Sequence, residues 1–266
     1  QSGSTYIYIV IRRPDGYVGK PAEAGTDVFA LDTGNNVATS ANFVSNFPVD
    51  MGWYRYQVTG SASTIISTRR TSKKYHTTHE IGSQSTFNDF VFDSNTGWCS
   101  EQVGSGYHSW MWKRHAGCDV ITYTGNGTAG RAVQHSLGTT PEMIWIKSRV
   151  SNTQWCIGHK GRNGGVNPWN YFSAFGVATG DEDNDIAFND TAPTSTHFTL
   201  GGNDETANKT NYDYVSMLFA SADDADGNPI SKCGYYTGTG HGGSGSGGSV
   251  TVTTGFSPRF IIVKNT

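Results

Sequence analysis

Tyr123-Thr124-Gly125-Asn126-Gly127 returns as Tyr236-Thr237-Gly238-Thr239-Gly240, and more faintly as Asp32-Thr33-Gly34-Asn35-Asn36. About eighteen residues after each Thr-Gly pair, a proline introduces a hydrophobic stretch. The three stretches are Pro48 with Met51-Gly52-Trp53-Tyr54-Arg55, Pro141 with Met143-Ile144-Trp145-Ile146-Lys147, and Pro258 with Phe260-Ile261-Ile262-Val263-Lys264. Phe87-Asn88-Asp89 reappears about a hundred residues later as Phe188-Asn189-Asp190. An aromatic-rich closing strand recurs as Tyr6–Ile11, Tyr107–Trp112 and Tyr214–Phe219. Self-similarity at a fixed period marks arrayed units, here of domain size. The expected division is 1–30 (end of one repeat), 31–119 and 120–230 (two complete repeats), and 231–266 (start of another). Read this way, the chain is a window cut from a longer protein. The two complete units should superpose, Trp53 on Trp145 and Phe87 on Phe188, as core positions.

Composition points to an all-β, loop-rich chain. Among 266 residues there are 34 Gly, 13 Tyr, 13 Phe and 7 Trp, with only 15% charged, against roughly 25% in typical globular domains. No apolar run approaches the roughly 20 residues of a membrane helix, and no signal peptide is visible. The net charge of −3 argues against a nucleic-acid partner, because phosphate backbones select basic faces. The one basic cluster, Arg69-Arg70 with Lys73-Lys74, reads as a solvated loop. Cys99, Cys118, Cys156 and Cys233 make no CxxC pair or zinc-ligand spacing and read as buried or half-buried thiols.

Helix periodicity is nearly absent. Strands are expected over Tyr6–Arg12, Gly52–Gln57, Val120–Thr124, Met143–Lys147, Trp155–Gly158, His197–Leu200, Tyr214–Ala220 and Phe260–Lys264. Gly, Asn, Asp and Pro punctuate them at sandwich-like intervals. Residues Gly240–Gly248, broken only by His241, Ser244 and Ser246, read as a mobile loop. The expected fold is therefore all-β, with tandem β-sandwich, jelly-roll-like units carrying long Gly/Asn-rich loops.

Chemistry-bearing motifs are sparse. Asp181-Glu182-Asp183-Asn184-Asp185 offers Asp181, Asp183 and Asp185 as weak calcium ligands, but lacks the spacing of a full calcium loop. Asp223-Asp224-Ala225-Asp226-Gly227-Asn228 reads as a turn. His76-Thr77-Thr78-His79-Glu80 has no helical frame for zinc, so both histidines read as surface groups. No nucleophile elbow or phosphate loop is present. Exposed aromatics stack on sugar rings, which makes Trp155, Trp169, Tyr171 and Phe172, around the loop Gly161–Asn170, the candidate glycan contacts. No catalytic residue, catalytic metal or cofactor is expected.

Taken together, Tyr6-Ile7-Tyr8-Ile9-Val10-Ile11-Arg12-Arg13, Asn46-Phe47-Pro48-Val49-Asp50-Met51, Tyr123–Gly130, His135-Ser136-Leu137-Gly138, Pro141-Glu142-Met143-Ile144, Phe188–Ser195 and Phe198-Thr199-Leu200-Gly201 resemble a known repeat. It is the repeat found in long tail-fibre and virion structural proteins of tailed bacteriophages, especially marine and cyanobacterial ones. The resemblance implies a non-enzymatic structural and adhesive segment in the virion, assembled in the host cytoplasm. It implies partners among copies of itself (a homotrimer or larger symmetric assembly), other virion proteins and host surface glycans, with no nucleic acid and no membrane insertion. Two other readings are a carbohydrate-binding module array of a secreted adhesin and a polysaccharide depolymerase.

Overall fold

The computed structural model describes residues 21–37, 41–57, 63–175, 182–239 and 248–265. The strand expected over Tyr6–Arg12 and nearly all of the loop Gly240–Gly248 lie outside them. The first half contains β1 (Phe29–Thr33), β2 (Phe43–Val44), β3 (Met51–Tyr56), β4 (Thr64–Thr68), β5 (Lys74–Thr77), β6 (Ser85–Thr86), β7 (Gly97–Trp98) and β8 (Tyr107–Trp112). The second contains β9 (Cys118–Thr124), β10 (Arg131–Gln134), β11 (Met143–Ser148), β12 (Cys156–His159), β13 (Tyr171–Phe172), β14 (Glu182–Asp183), β15 (His197–Leu200) and β16 (Asp213–Phe219). A small hairpin, β17 (Ala222–Asp223) with β18 (Pro229–Ser231), follows. The described helical segments are three short 3-10 turns.

The two halves share one strand plan. The first sheet runs β1-β8-β3-β4-β5-β6 and the second β12-β11-β16-β9, all antiparallel. Read from the opposite end, the second sheet matches β1-β8-β3-β4 strand for strand. Trp53 faces Trp110 and Ile66, while Trp145 faces Met217 and Ile157. The two tryptophans thus occupy equivalent positions. Each half also pairs a short ribbon, β2 with β7 and β10 with β15. Phe87 and Phe188 both open a turn closed by the amide three residues on, at 3.1 and 3.0 Å. Phe188 is buried, whereas Phe87 is only half-buried against its core.

The recurring Thr-Gly-Asn has a specific geometry. Asn35 Oδ1 accepts the Val37 amide at 3.0 Å, and Asn126 Oδ1 accepts the Thr128 amide at 2.9 Å. The residue between adopts the left-handed region each time, Asn36 at φ 59° and Gly127 at φ 72°, where Asn and Gly are best tolerated. Gly34 and Gly125 precede these turns because backbone carbonyls press on them. A Cβ would lie 2.4 Å from Val103 O at Gly34 and 2.1 Å from Lys209 O at Gly125. A buried asparagine completes each loop. Asn42 binds the Asn35 amide and Val37 carbonyl, and Asn208 the Asn126 amide and Thr128 carbonyl.

Three cores result. One lies between the first sheet and its ribbon (Phe43, Tyr54, Phe90, Phe92, Trp98, Met111), where Gly52 admits the Trp98 ring at a distance no Cβ could tolerate. Another lies between the second sheet and its ribbon (Ile144, Ile146, Phe188, Phe198, Leu200, Leu218). The third is shared: Met51, Trp53 and Ile66 of the first sheet pack on Val120, Trp145, Ile157 and Met217 of the second. Trp53 and Trp145 meet at 5.7 Å between ring centroids. The units are therefore not beads on a flexible string. Burying a tryptophan removes roughly 150–250 Å² from water, worth about 4–6 kcal/mol per ring at ~25 cal/mol per Å².

Two further expectations change. Phe260–Lys264 joins no sheet among the described residues; Phe260 instead packs on Trp53 and Trp112 at 5.4 and 5.3 Å. Arg69 is only partly exposed and is anchored to the loops around it. Its guanidinium donates to Val49 O and Phe92 O and pairs with Asp50 at 3.2 Å.

Trp145→Ala should cost about 3–5 kcal/mol, the range of large-to-small changes at buried aromatics. Because the core is shared, amides of β3 and β8 should lose hydrogen-exchange protection together with those of β11 and β16. Wild-type protection in β3 and β8 would show that the halves stand alone.

Candidate binding surfaces

The residues expected to contact glycans do not form an exposed platform. Trp155 is 1% exposed; its Nε1 donates to Thr77 O at 2.9 Å, and its ring meets His76 edge-on. Trp169 is 6% exposed and packs edge-on against Phe188 at 5.2 Å. The Asn/Gly-rich loop folds back as two 3-10 turns, with Asn163, Gly164, Gly165 and Asn167 left-handed, and so carries Trp169 inward. Tyr171 and Phe172 are half-buried in β13, paired with β14. Of the calcium candidates, Asp181 lies outside the described residues. Asp183 and Asp185 join no group of three metal-ligating side chains among those described. Burial, and then the neighbouring Asp183 and Asp185 carboxylates, raise the Asp190 carboxyl above its ordinary range. Asp224 closes the expected turn by accepting the Asp226 and Asn228 amides at 3.0 and 2.8 Å.

Two concavities replace that platform. A groove of about 360 Å³ opens where the shared core reaches solvent, lined among others by Trp53, Arg55, Trp110, Phe175, Phe260 and Ile262. The buried Trp53 Nε1 has no hydrogen-bond acceptor among the described residues. A second, polar cavity of about 250 Å³ is lined by Arg70, Arg114, Thr122, Gln134, His135 and Ser136. Behind this lining, buried Asp119 holds Arg114 and Ser136 in place, accepting Arg114 Nε at 2.6 Å and the Ser136 amide at 2.8 Å, along with the Val120 amide at 2.8 Å. The Arg114 amide in turn donates to Asp50 at 2.8 Å. Exposed Arg70 stands at the rim. Asp119 balances the Arg114 charge, so Arg70 is the cation the cavity offers beside its neutral donors, a setting for a carboxylate or sulfate.

Sequence reading missed a buried cation. Lys147 continues the inward parity of Met143 and Trp145, and its ammonium donates to Thr153 O at 2.9 Å and Ile81 O at 3.2 Å. Ser148 O and Ser151 O complete the cage at 3.4 Å each. Burial pushes Lys147 down to about 8. His76, expected at the surface, is buried on β5 because its parity faces Trp155; burial and then Lys147 lower it to about 3. His79 is the exposed one and pairs with Glu80 at 3.4 Å. The four cysteines are free; three are buried and Cys233 is intermediate.

The chain belongs to the family described as a domain of unknown function, DUF7483, which matches residues 29–266. No curated protein and no solved structure matches it.

The histidines set an acid limit. Burial holds His76 at about 3, and His115 and His159 at about 4, all below the unfolded value near 6.5. The unfolded chain therefore binds more protons in between. Their contribution is fully present above about pH 6.5 and is lost as pH falls toward 4. The urea midpoint should drop between pH 7 and pH 4.5, and His76→Gln should flatten part of that slope. An unchanged slope in the variant would remove His76 from the account.

Proposed function

We propose that this chain is a structural and adhesive segment of a bacteriophage tail fibre or other virion appendage. Its two units act as tandem, jelly-roll-like sandwich repeats that space and present loops to host glycans or neighbouring subunits. The observation that carries this reading is the shared aromatic core. Repeats joined through Trp53 and Trp145 resist bending between units, as a force-bearing spacer requires. The resemblance of the repeat supplies the virion setting. The function is mechanical, without catalysis, and copies of the chain associate as a homotrimer or larger symmetric body. Closed symmetry covers exposed sheet edges.

The adhesive part has a site of its own. The polar cavity under Arg70 and Arg114 suits the acidic group of a uronic or sulfated surface sugar, because guanidinium–anion bonds are charge-assisted. This favours recognition of acidic host polysaccharide over stacking on the buried tryptophans.

Peptide mass spectrometry of banded phage particles, with immunogold labelling by an antibody to residues 41–231, should place the chain on an appendage. Recovery only from the soluble lysate would sink the virion reading. On an array of acidic oligosaccharides, Arg70→Ala should weaken binding about tenfold, ~1.4 kcal/mol, with the fold intact. Equal binding by the variant would remove the cavity as the contact.

A further inference from the structure

The polar cavity of about 250 Å³ lies across the junction of the two halves, and its lining comes from both. Arg70 stands in the turn between β4 and β5, and Arg114 in the connection from β8 to β9. Thr122 is on β9, Gln134 ends β10, and Ser136 follows it. Neither half supplies the whole lining. Fixed bonds set the two walls against each other. Asp50 accepts the Arg69 amide on its backbone carbonyl at 2.8 Å and pairs with the Arg69 guanidinium at 3.2 Å. Its second carboxylate oxygen accepts the Arg114 amide at 2.8 Å. Asp119 carries the chain of bonds onward, with one oxygen on Arg114 Nε and the other on the Ser136 amide. A continuous path therefore runs from the neighbour of Arg70 to the far wall.

The same bonds determine the charge the cavity presents. Asp50 balances Arg69 and Asp119 balances Arg114, whereas exposed Arg70 has no carboxylate partner among the described residues. His135 adds no charge. Its Nδ1 accepts the Leu137 amide at 3.2 Å and its Nε2 donates to Thr194 O at 3.1 Å, the pattern of a neutral imidazole. Burial also lowers its pKa below the ordinary histidine value. Thr122, Gln134 and Ser136 are exposed, and their hydroxyl and amide groups are uncommitted among the described residues. The lining therefore offers one surplus positive charge on the first half and neutral donors on the second.

We propose that the cavity clamps a singly charged group of an acidic sugar, a carboxylate or a sulfate ester, between the two halves. Arg70 of the first half takes one side of the anion, and Thr122, Gln134 and Ser136 of the second take the other side and the neighbouring hydroxyls. This rests on the acidic-polysaccharide reading above and adds what binding does to the protein. A ligand held by both walls binds only the docked arrangement of the halves and stabilises it by mass action. The bound sugar becomes a further tie across the junction, alongside the contact of Trp53 with Trp145. The single surplus charge also sets the ligand class. A phosphate monoester carries nearly two negative charges at neutral pH, more than Arg70 alone neutralises.

Glucose 6-sulfate, methyl glucuronide and glucose 6-phosphate, titrated into the full chain, test the proposal. The sulfate, the glucuronide or both should bind more tightly than the phosphate; equal or tighter binding of the phosphate would overturn the charge match. With the tighter monoanion at saturation, hydrogen exchange should slow about tenfold at the Arg69 and Thr71 amides of one wall and the Ser136 amide of the other. Slowing on one wall alone would overturn the bridge and leave an acidic-sugar site in place. Binding of none of the three would remove the site together with the reading it rests on. The double variant Thr122→Val, Gln134→Ala changes exposed positions, so circular dichroism should match wild type while affinity falls about tenfold, as expected for two lost hydrogen bonds. Unchanged affinity in the folded variant would show that the second half is not a wall, and would overturn the proposal.

Discussion

The contact between Trp53 and Trp145 is the constraint on which the rest of the molecule depends. Once these matching positions of the two main sheets meet, each sheet has an outer face for its own ribbon and an inner face for its neighbour. The central strands must then be apolar on both sides, and β16 is buried at six of seven positions, with Asp213 half-buried. Polar atoms drawn into this arrangement need partners there. Trp155 finds one in Thr77 O, from the other unit, and the Lys147 ammonium finds Ile81 O, also from the other unit. Each such bond ties the halves a second time.

A separate polar seam does the same where the chain passes from one unit to the next. Arg114 sits in the connection between β8 and β9, its amide on Asp50 and its guanidinium on Asp119. Asp50 lies just before β3 of the first sheet and Asp119 on β9 of the second, so one residue fixes the crossing point. Removing either carboxylate would leave a buried donor or charge without its partner, and such losses cost more than the bond is worth in water.

Much of this was legible beforehand, and the exceptions share a cause. The all-β character and the scarcity of helix follow from local alternation and turn chemistry, which a linear reading captures. The Thr-Gly pairs aligned correctly as motifs. Against the closing strands, though, Thr33 sits opposite His108 and Thr124 opposite Asp213, a two-residue displacement. A slip of two keeps every side chain on its face, so the pattern hides it. What was missed depends on contacts between units. His76 and Trp155 looked exposed because the surface that covers each comes from the other half of the chain. Trp169 looked displayed because an Asn/Gly-rich loop suggests an outward excursion, whereas its left-handed residues turn it back into the core. Phe260–Lys264 has the composition of a strand, but composition cannot supply a neighbouring one.

The asparagine-centred loops carry a consequence for chemical ageing. Asn-Gly pairs deteriorate by attack of the glycine amide nitrogen on the asparagine side-chain carbon, closing a succinimide ring. At Asn126-Gly127 both reactants are committed elsewhere: the side-chain oxygen accepts the Thr128 amide, and the Gly127 amide donates to Asn208 O at 2.9 Å. The same bonds that shape the turn hold the nucleophile away from its target. Deamidation at this pair must wait for local opening, so its rate becomes a clock for how often the loop comes undone.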